Sequence, residues 1–282
     1  MQTYIECVGC LARQAVDIAC QNIPPQRQES FIKDILIRLS RFDYTSPPPI
    51  MAMEMYDMLR EIEGIEDPFA HVKSVYNEMA LQLYPDLKEI VKVSDDPVET
   101  ALRIAVAGNI IDFGARNAEN IHIEDTLKRA LEIPFSVDHT SQFKKQIEDS
   151  RSIVYLADNA GEIVFDRVLI EEIGPERVTC AVRDLPVIND ATLKDTSQTG
   201  LDDVCSVVSS GSRAPGTPLY LCSDEFKEMF YSADVVISKG QGNFETLNHV
   251  DRDVFFLFMI KCPIISREVG AALNSFIIMR HP

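Results

Sequence analysis

This chain is short of positive charge. Its 282 residues carry 27 Lys and Arg against 44 Asp and Glu, a formal net charge of −17. So acidic a surface repels a polyanion, which excludes the electrostatic footprint of a nucleic-acid binder. It also repels small phosphorylated ligands unless a local positive centre overrides the field. A bound divalent cation, a helix N-terminus or one or two Lys or Arg side chains would provide one. Long apolar runs are missing as well, and none reaches the ~20 residues that span a bilayer. The opening residues Met1 to Glu6 have neither the basic start nor the apolar stretch of a secretory signal. A cytoplasmic protein with no membrane partner is the expectation. Seven cysteines, an odd number spread along the chain, do not make a disulfide framework. Low-complexity tracts and repeats of about 20–50 residues are absent. The histidines show no HExxH or HxH spacing, so each reads as structural or exposed.

With 46% hydrophobic residues the chain can bury a large core in one or two domains. The first half reads as helical. Asp67-Pro68 and Asp96-Pro97 are each an N-cap followed by a proline in the first turn, and Pro47-Pro48-Pro49 reads as a third helix start. Tyr84-Pro85 is expected to end the helix that begins near Asp67. From about residue 151 the pattern changes. Apolar runs at 153–157, 178–182, 204–208, 235–237 and 254–260 alternate with helical stretches near 161–173, 191–195, 224–233 and 244–249. Strands alternating with helices imply right-handed crossovers and a mainly parallel, doubly wound sheet. The expected fold is therefore α/β, with a helical region at 1–145 packed on a Rossmann-like α/β domain at 146–282.

The most informative stretch is Ile153-Val154-Tyr155-Leu156-Ala157-Asp158-Asn159-Ala160-Gly161-Glu162. An apolar strand ends in a carboxylate and a carboxamide, and a helix follows at once. In open α/β sheets, ligands bind at such strand tips. Asp190, in Val187-Ile188-Asn189-Asp190-Ala191-Thr192, follows the next strand. One helix connects the two strands, so they should be neighbours. Asp158, Asn159 and Asp190 would then offer three hard oxygens to Mg²⁺ or Mn²⁺, and Ni²⁺ or Co²⁺ would also fit. Helix capping explains the two aspartates equally well. Glu162 could reach the metal through water, accept from a substrate hydroxyl, or simply complement a helix dipole.

A second loop, Lys239-Gly240-Gln241-Gly242-Asn243, again follows an apolar strand. Its glycines expose backbone N–H groups, and Lys239 brings a point charge, a combination suited to phosphate. Walker spacing is absent, so it is not a P-loop, and an ordinary turn with a solvated Lys239 is the bland alternative. The turn-rich stretch 209–218 reads as a substrate lid containing Arg213 or as a plain connection. Asn109 and Asp112 share one helix face within an apolar segment, where either a ligand or a structural hydrogen-bond network would satisfy them. Cys7-x-x-Cys10 stands alone. Without a second CxxC it lacks the four ligands of a structural zinc site. A redox role or a second metal site with Cys262 is one reading, and small buried helix residues the other.

Taken together, these blocks resemble the metal-dependent damage-control phosphatases (formerly DUF89). The resemblance covers nearly the whole chain. It is carried by Cys7-x-x-Cys10, Gly108-Asn109-x-x-Asp112-Phe113, Asp158-Asn159-Ala160-Gly161-Glu162, Val187 to Thr192, Lys239 to Glu245 and Lys261-Cys262-Pro263. The lone CxxC is similar to the small prokaryotic, often archaeal, branch. The resemblance implies a helical region packed on an α/β domain, a divalent metal held at Asp158, Asn159 and Asp190, and phosphate bound by a basic residue at Lys239. It implies hydrolysis of phosphate esters of sugars or cofactor precursors, often with Mn²⁺, Ni²⁺ or Co²⁺. The arginine-threonine pair of the eukaryotic sugar-phosphate branch is missing before Lys239, where Ser238 stands.

The reading that follows is a metal-dependent phosphomonoesterase. Asp158 or Asp190 would orient the attacking water, and Lys239, Gly240, Gly242 and Asn243 would bind phosphate. The haloacid-dehalogenase pattern of two aspartates one residue apart does not occur at Asp158-Asn159-Ala160, which disfavours a phosphorylated aspartate. A non-catalytic phosphometabolite or nucleotide binder is the alternative. A methyltransferase is disfavoured because no GxGxG loop follows the first strand.

Overall fold

A computed structural model describes residues 1–109 and 123–281 of the chain. Asp112, singled out above, lies outside the described residues. The helices of the first half are α1 (Ile5–Asn22), α2 (Pro25–Arg41), α3 (Pro48–Glu63), α4 (Ala70–Lys92), α5 (Pro97–Gly108), α6 (Ile123–Glu132) and α7 (Thr140–Asp149). The strands are β1 (Val137–Asp138), β2 (Ile153–Leu156), β3 (Val178–Val182), β4 (Ser206–Ser209), β5 (Val235–Lys239), β6 (Val254–Met259) and β7 (Phe276–His281). Helices α8 (Glu162–Glu172), α9 (Leu193–Thr199), α10 (Asp224–Ser232), α11 (Gln241–Leu247) and α12 (Pro263–Val269) connect them.

All seven strands form one sheet in the order β1-β7-β6-β5-β2-β3-β4, parallel throughout except where β7 runs against β6. β2 and β5 are wholly buried, as strands covered by helices on both faces must be. From β2 the chain proceeds to β3 and β4 on one side, then returns to lay β5 and β6 on the other. The order therefore reverses between β2 and β5, and the crevice outside their C-terminal ends is the expected ligand site of such a sheet.

Side chains alternate along each strand, so the sheet builds two cores. On one face Ile153, Tyr155, Ile237 and Leu257 pack against Ala80, Leu102, Ala105, Phe165 and Leu169 of α4, α5 and α8. On the other, Val154, Leu156, Val236 and Phe256 meet Phe226, Phe230 and Phe244. Each such side chain contributes roughly 1.5–3 kcal/mol by leaving water. The first core crosses residue 145, because residues of α4 to α7 and of the sheet share it. Helices α1 to α3 have their own cluster around Leu11, Phe31, Ile35, Met55 and Leu59, into which Val187 reaches from the loop after β3.

The local signals act as their chemistry dictates, with exceptions. Asp96 accepts from the Glu99 N–H at 3.1 Å and Pro97 opens α5, while Pro48 opens α3. Asp67 acts two residues early: its carboxylate accepts from Phe69 N–H and pairs with Lys73, and α4 begins only at Ala70. Pro85 does not end that helix; α4 runs through it to Lys92. Proline removes one backbone donor and crowds one turn. Burial of Leu87 and Val91 beyond it, together with a hydrogen bond from Tyr84 Oη to Glu171, holds the continuation in place. Strand β7, antiparallel to β6 and parallel to β1, is not among the apolar runs read from the sequence.

Candidate active site

Asp158 and Asn159 follow β2 directly, and Asp190 sits on the loop between β3 and α9. β2 and β3 are hydrogen-bonded neighbours, as the single connecting helix requires. Their loops are also paired beyond the strands. Asn159 and Asp190 form an antiparallel bridge, Ala191 N–H donates to Asp158 O at 2.8 Å, and Ala160 N–H donates to Asn189 O at 2.9 Å. Two residues before Asp190, Ile188 holds a left-handed backbone with φ of 49°. A β-branched residue rarely accepts that conformation, and such strain gathers where a turn must aim a neighbour.

The tip of β5 closes the other side. Gly240 has φ of 78°, and a Cβ built on it would lie 1.9 Å from Asp158 Oδ2. Only glycine lets the β5 loop lie against the Asp158 carboxylate. From the helical half, Asn109 donates its amide to Asp158 Oδ2 at 3.3 Å and to Glu162 Oε2 at 3.2 Å, and its own oxygen accepts from Met259 N–H. Gly108 brings it there: a Cβ on Gly108 would come within 2.9 Å of Phe165 Cβ, so its absence lets α5 press against α8.

Arg183, at the end of β3, is the site residue that the motifs did not reveal. It is 1% exposed and donates to Asp190 Oδ2 at 2.8 Å, to Thr217 Oγ1 at 3.2 Å and to Asn243 Oδ1 at 3.3 Å; its guanidinium lies 3.9 Å from Asp158 Oδ1. An arginine closing an apolar strand, Ala181-Val182-Arg183, was the available signal. Asn243 is occupied in the same network. Its amide donates to Ala157 O and Lys239 O, and its oxygen accepts from Thr217 and Arg183, so its side chain ties the tips of β2 and β5 together with both amide hydrogens engaged.

Lys239 is where the structure departs most from the sequence. It is the last residue of β5 rather than part of the loop, and it is fully buried. Its ammonium donates to Ala105 O at 2.8 Å, to Glu162 Oε1 at 2.7 Å and to Asp166, so its three protons are spent inside the protein. The alternation along β5 turns it under the crevice, toward α5 and α8. There Glu162 and Asp166, four residues apart on one face of α8, receive it. Tyr155 Oη donates to the same Asp166 oxygen at 2.8 Å. The Gly240 N–H is taken too, by Leu257 O at 3.2 Å. Gly242 stands in the first turn of α11, where a backbone N–H has no partner within the helix. Arg213 pairs with Asp57 of α3 at 2.9 Å.

The electrostatics follow from burial. Desolvation, with Glu162 and Asp190 nearby, pushes the Asp158 carboxyl well above the usual range, against the opposing pull of Arg183 and Lys261. Burial likewise raises Asp190, and Arg183 counters it. Asp166 is pushed up to about 7 by burial, with Lys239 working against that and Glu162 adding to it. Burial would lower Lys239, but Asp166 and Glu162 outweigh it and keep the amine charged. Four carboxylates (Asp158, Glu162, Asp166, Asp190) thus share a buried region with two cations, Arg183 and Lys239. The set holds more carboxyl groups than cations, with Lys261 acting on Asp158 and Lys73 on Asp190 from its border.

Hard oxygens at Asp158 and Asp190 fit a divalent cation. As placed, Asn159 turns its amide nitrogen toward Asp158 Oδ2 and Glu162 Oε2, at 2.9 and 3.0 Å. To act as a ligand it would present its amide oxygen there, a half-turn of the same group. Among the described residues no group of three or more His, Cys, Asp or Glu is arranged to hold a metal. The candidate set accordingly depends on that carboxamide for its third oxygen. No helix among the described residues is long and apolar enough to cross a membrane.

The damage-control phosphatase ARMT1-like domain model matches residues 3–276. A damage-control phosphatase from Pyrococcus horikoshii is 33% identical over 288 residues, covering 100% of this chain and 99% of that protein. A damage-control phosphatase from Archaeoglobus fulgidus is 33% identical over 252 residues, covering 86% of this chain and 87% of its own. The crystal structure of a DUF89 family protein from Pyrococcus horikoshii superposes with a TM-score of 0.90 at 32% identity, covering 100% of both chains.

Proposed function

The chain belongs to the ARMT1-like damage-control phosphatase family, and from that membership we propose that it is a divalent-metal-dependent phosphomonoesterase acting on a small phosphorylated metabolite. A sugar phosphate or the phosphate of a cofactor precursor is the substrate class, and a cytoplasmic setting belongs to the same proposal. The observation that carries it is the antiparallel bridge joining Asn159 to Asp190. It commits both aspartates to one side of the sheet, at the point where the strand order reverses.

Asp158, Asn159 and Asp190 would hold the ion. Bound there, Mn²⁺, Ni²⁺, Co²⁺ or Mg²⁺ would supply Lewis acidity to a phosphoryl oxygen and acidify a water. The chain's own groups do the rest. Arg183 fixes one oxygen of Asp190. The amides of Asn109 and Asn159 fix Asp158 Oδ2. Asp158 or Asp190 orients the attacking water and receives its proton. The Gly242 N–H, at the start of α11, and the charge of Lys261, which already acts on Asp158, meet the phosphate oxygens. Lys239 serves from below: it holds Glu162 in place and offsets part of the carboxylate charge.

The test strips the purified full chain with a chelator, reloads it with each of the four ions and measures phosphate release from a panel of phosphate monoesters. Turnover is expected with at least one ion, and loss of turnover in Asp158→Asn and Asp190→Asn with unchanged circular dichroism. A metal-loaded wild type that gains thermal stability from a phosphometabolite yet never turns it over is a binding protein, and the hydrolase reading fails.

A further inference from the structure

A second feature borders the crevice. A cavity of about 580 Å³ opens between α1, the loop after β5 and the start of α12, lined by Cys7, Cys10 and Cys262 together with Ile188, Gln241 and Gly242. Ile188 and Gly242 belong to the two loops that build the crevice, so the cavity is its neighbour. Its volume is that of a site for a small molecule. Cys7 and Cys10 are one turn apart in α1, Cys7 in the first turn and Cys10 in the next. Helix radius and rise put such Cα atoms about 5 Å apart, inside the range of roughly 4.4–6.8 Å that a disulfide spans. The two Cβ atoms must still draw together slightly, and at the start of the helix the Cys7 N–H holds only a first-turn bond to Tyr4 O at 2.9 Å. Cys7 is half-buried and Cys10 exposed, so one thiol is reachable and the second stands behind it. Cys262 lies close enough to influence both electrostatically, from a separate element.

We infer that Cys7 and Cys10 form a dithiol site that exchanges with a low-molecular-weight disulfide admitted to this cavity. The exposed Cys10, as thiolate, attacks one sulfur of the small disulfide. A mixed disulfide forms and the first small thiolate leaves. Cys7 then gives its proton to solvent and attacks the Cys10 sulfur, expelling the second thiolate and closing the Cys7–Cys10 bond. The protein dithiol loses two electrons and two protons; the small disulfide gains them and departs as two thiols. Burial holds both protein thiols above their ordinary pKa. The exchange is therefore slow at neutral pH, and the bond once closed resists reduction, because thiols of high pKa leave poorly.

The cavity shares Gly242 and Lys261 with the proposed phosphate site, but the exchange does not rest on the phosphatase reading, and its test reads mass instead of turnover. The native full chain is incubated with glutathione disulfide, free thiols are capped with iodoacetamide after denaturation, and tryptic peptides are weighed. The peptide ending at Arg13 carries both cysteines. It is expected to lose alkylation at both positions and to weigh two hydrogens less, while the exposed Cys20 stays alkylated. In Cys7→Ser the mixed glutathione adduct on Cys10 should accumulate. Cys7 and Cys10 alkylated as fully as Cys20, a bond to Cys262 instead, no adduct in Cys7→Ser, or one tightly held zinc per chain that blocks oxidation would each overturn the assignment.

Discussion

Two charged centres lie one above the other at the tips of β2 and β5, and they differ in what they face. The lower one, Lys239 with Glu162, Asp166 and Tyr155, is sealed: the side chains of Lys239, Glu162 and Asp166 are at most 1% exposed. The upper one, Asp158 and Asp190 with Arg183, keeps 13% of the Asp158 side chain open to the crevice. Glu162 and the amides of Asn109 and Asn159 connect them. The contrast teaches that charge at a strand tip does two jobs. Groups sealed inside the protein hold one another in place, although Asp166 Oδ2 is left without a hydrogen-bond partner, and groups open to the crevice stay accessible to a ligand.

The sharpest way to break that contrast is to remove a crevice carboxylate. Asp158→Asn or Asp190→Asn should cut phosphate release on the order of 10³-fold; unfolding stability should hold in Asp158→Asn and fall in Asp190→Asn, which takes the carboxylate partner from the buried Arg183. Equal activity in the variants would take the upper centre out of the chemistry. Lys239→Met should do the reverse in kind. It leaves two buried carboxylates without their cation, and urea unfolding should show a loss of about 3–5 kcal/mol. Normal stability with a raised KM would instead put Lys239 in contact with substrate and erase the distinction. Gly240→Ala tests the seam between loop and carboxylate. The added methyl collides with Asp158 Oδ2. Both readouts should fall together, stability by roughly 1–3 kcal/mol.

The smallest effect comes from a carboxylate that belongs to neither centre. Glu245, beside the cysteine cavity, is pushed up to about 7 by burial, with a hydrogen bond from Gln241 opposing the rise. Between its ordinary value of 4.5 and about 7 the folded chain retains a proton that the unfolded chain has released. Stability should therefore fall as pH rises through that window and level off above it. Glu245→Gln should flatten the slope, as read by urea unfolding at either end of the window. An unchanged slope would mean that Glu245 does not carry it.

How much of this was legible depends on what each residue answers to. Asp158-Asn159 could be picked out because a strand buried on both faces is an unbroken apolar run, and its first polar residue marks the tip; Asp190, well past the end of β3, was reached only through the expectation that the two strands are neighbours. Asp96-Pro97 was readable because a cap is local. Lys239 was not, because a lysine at a strand tip turns toward solvent or under the sheet according to what waits there, and here Glu162 and Asp166 wait on a different element. Arg183 was hidden for the same reason: its partners Asp190 and Thr217 come from two separate loops and Asn243 from α11. The helical half was readable as helices packed on the sheet, yet the contact that joins them was not. That union rests on Gly108 giving way to Phe165, a fit that no periodicity encodes. Pro85 misled because its cost is local and the packing that outweighs it is remote.

The wall between α1 and α12 has a consequence for how the chain is made. Arg267 reaches Glu6 across 261 positions, and Tyr4 reaches Glu268 across 264. A ribosome delivers residues in order, so the first helix emerges long before its dock exists and must wait while the sheet assembles. Contacts so distant along the chain are costly to close and tend to form late. The thiol-lined chamber should thus be the final part of the molecule to mature, and a nascent chain arrested short of α12 should leave Cys7 and Cys10 open to any passing oxidant.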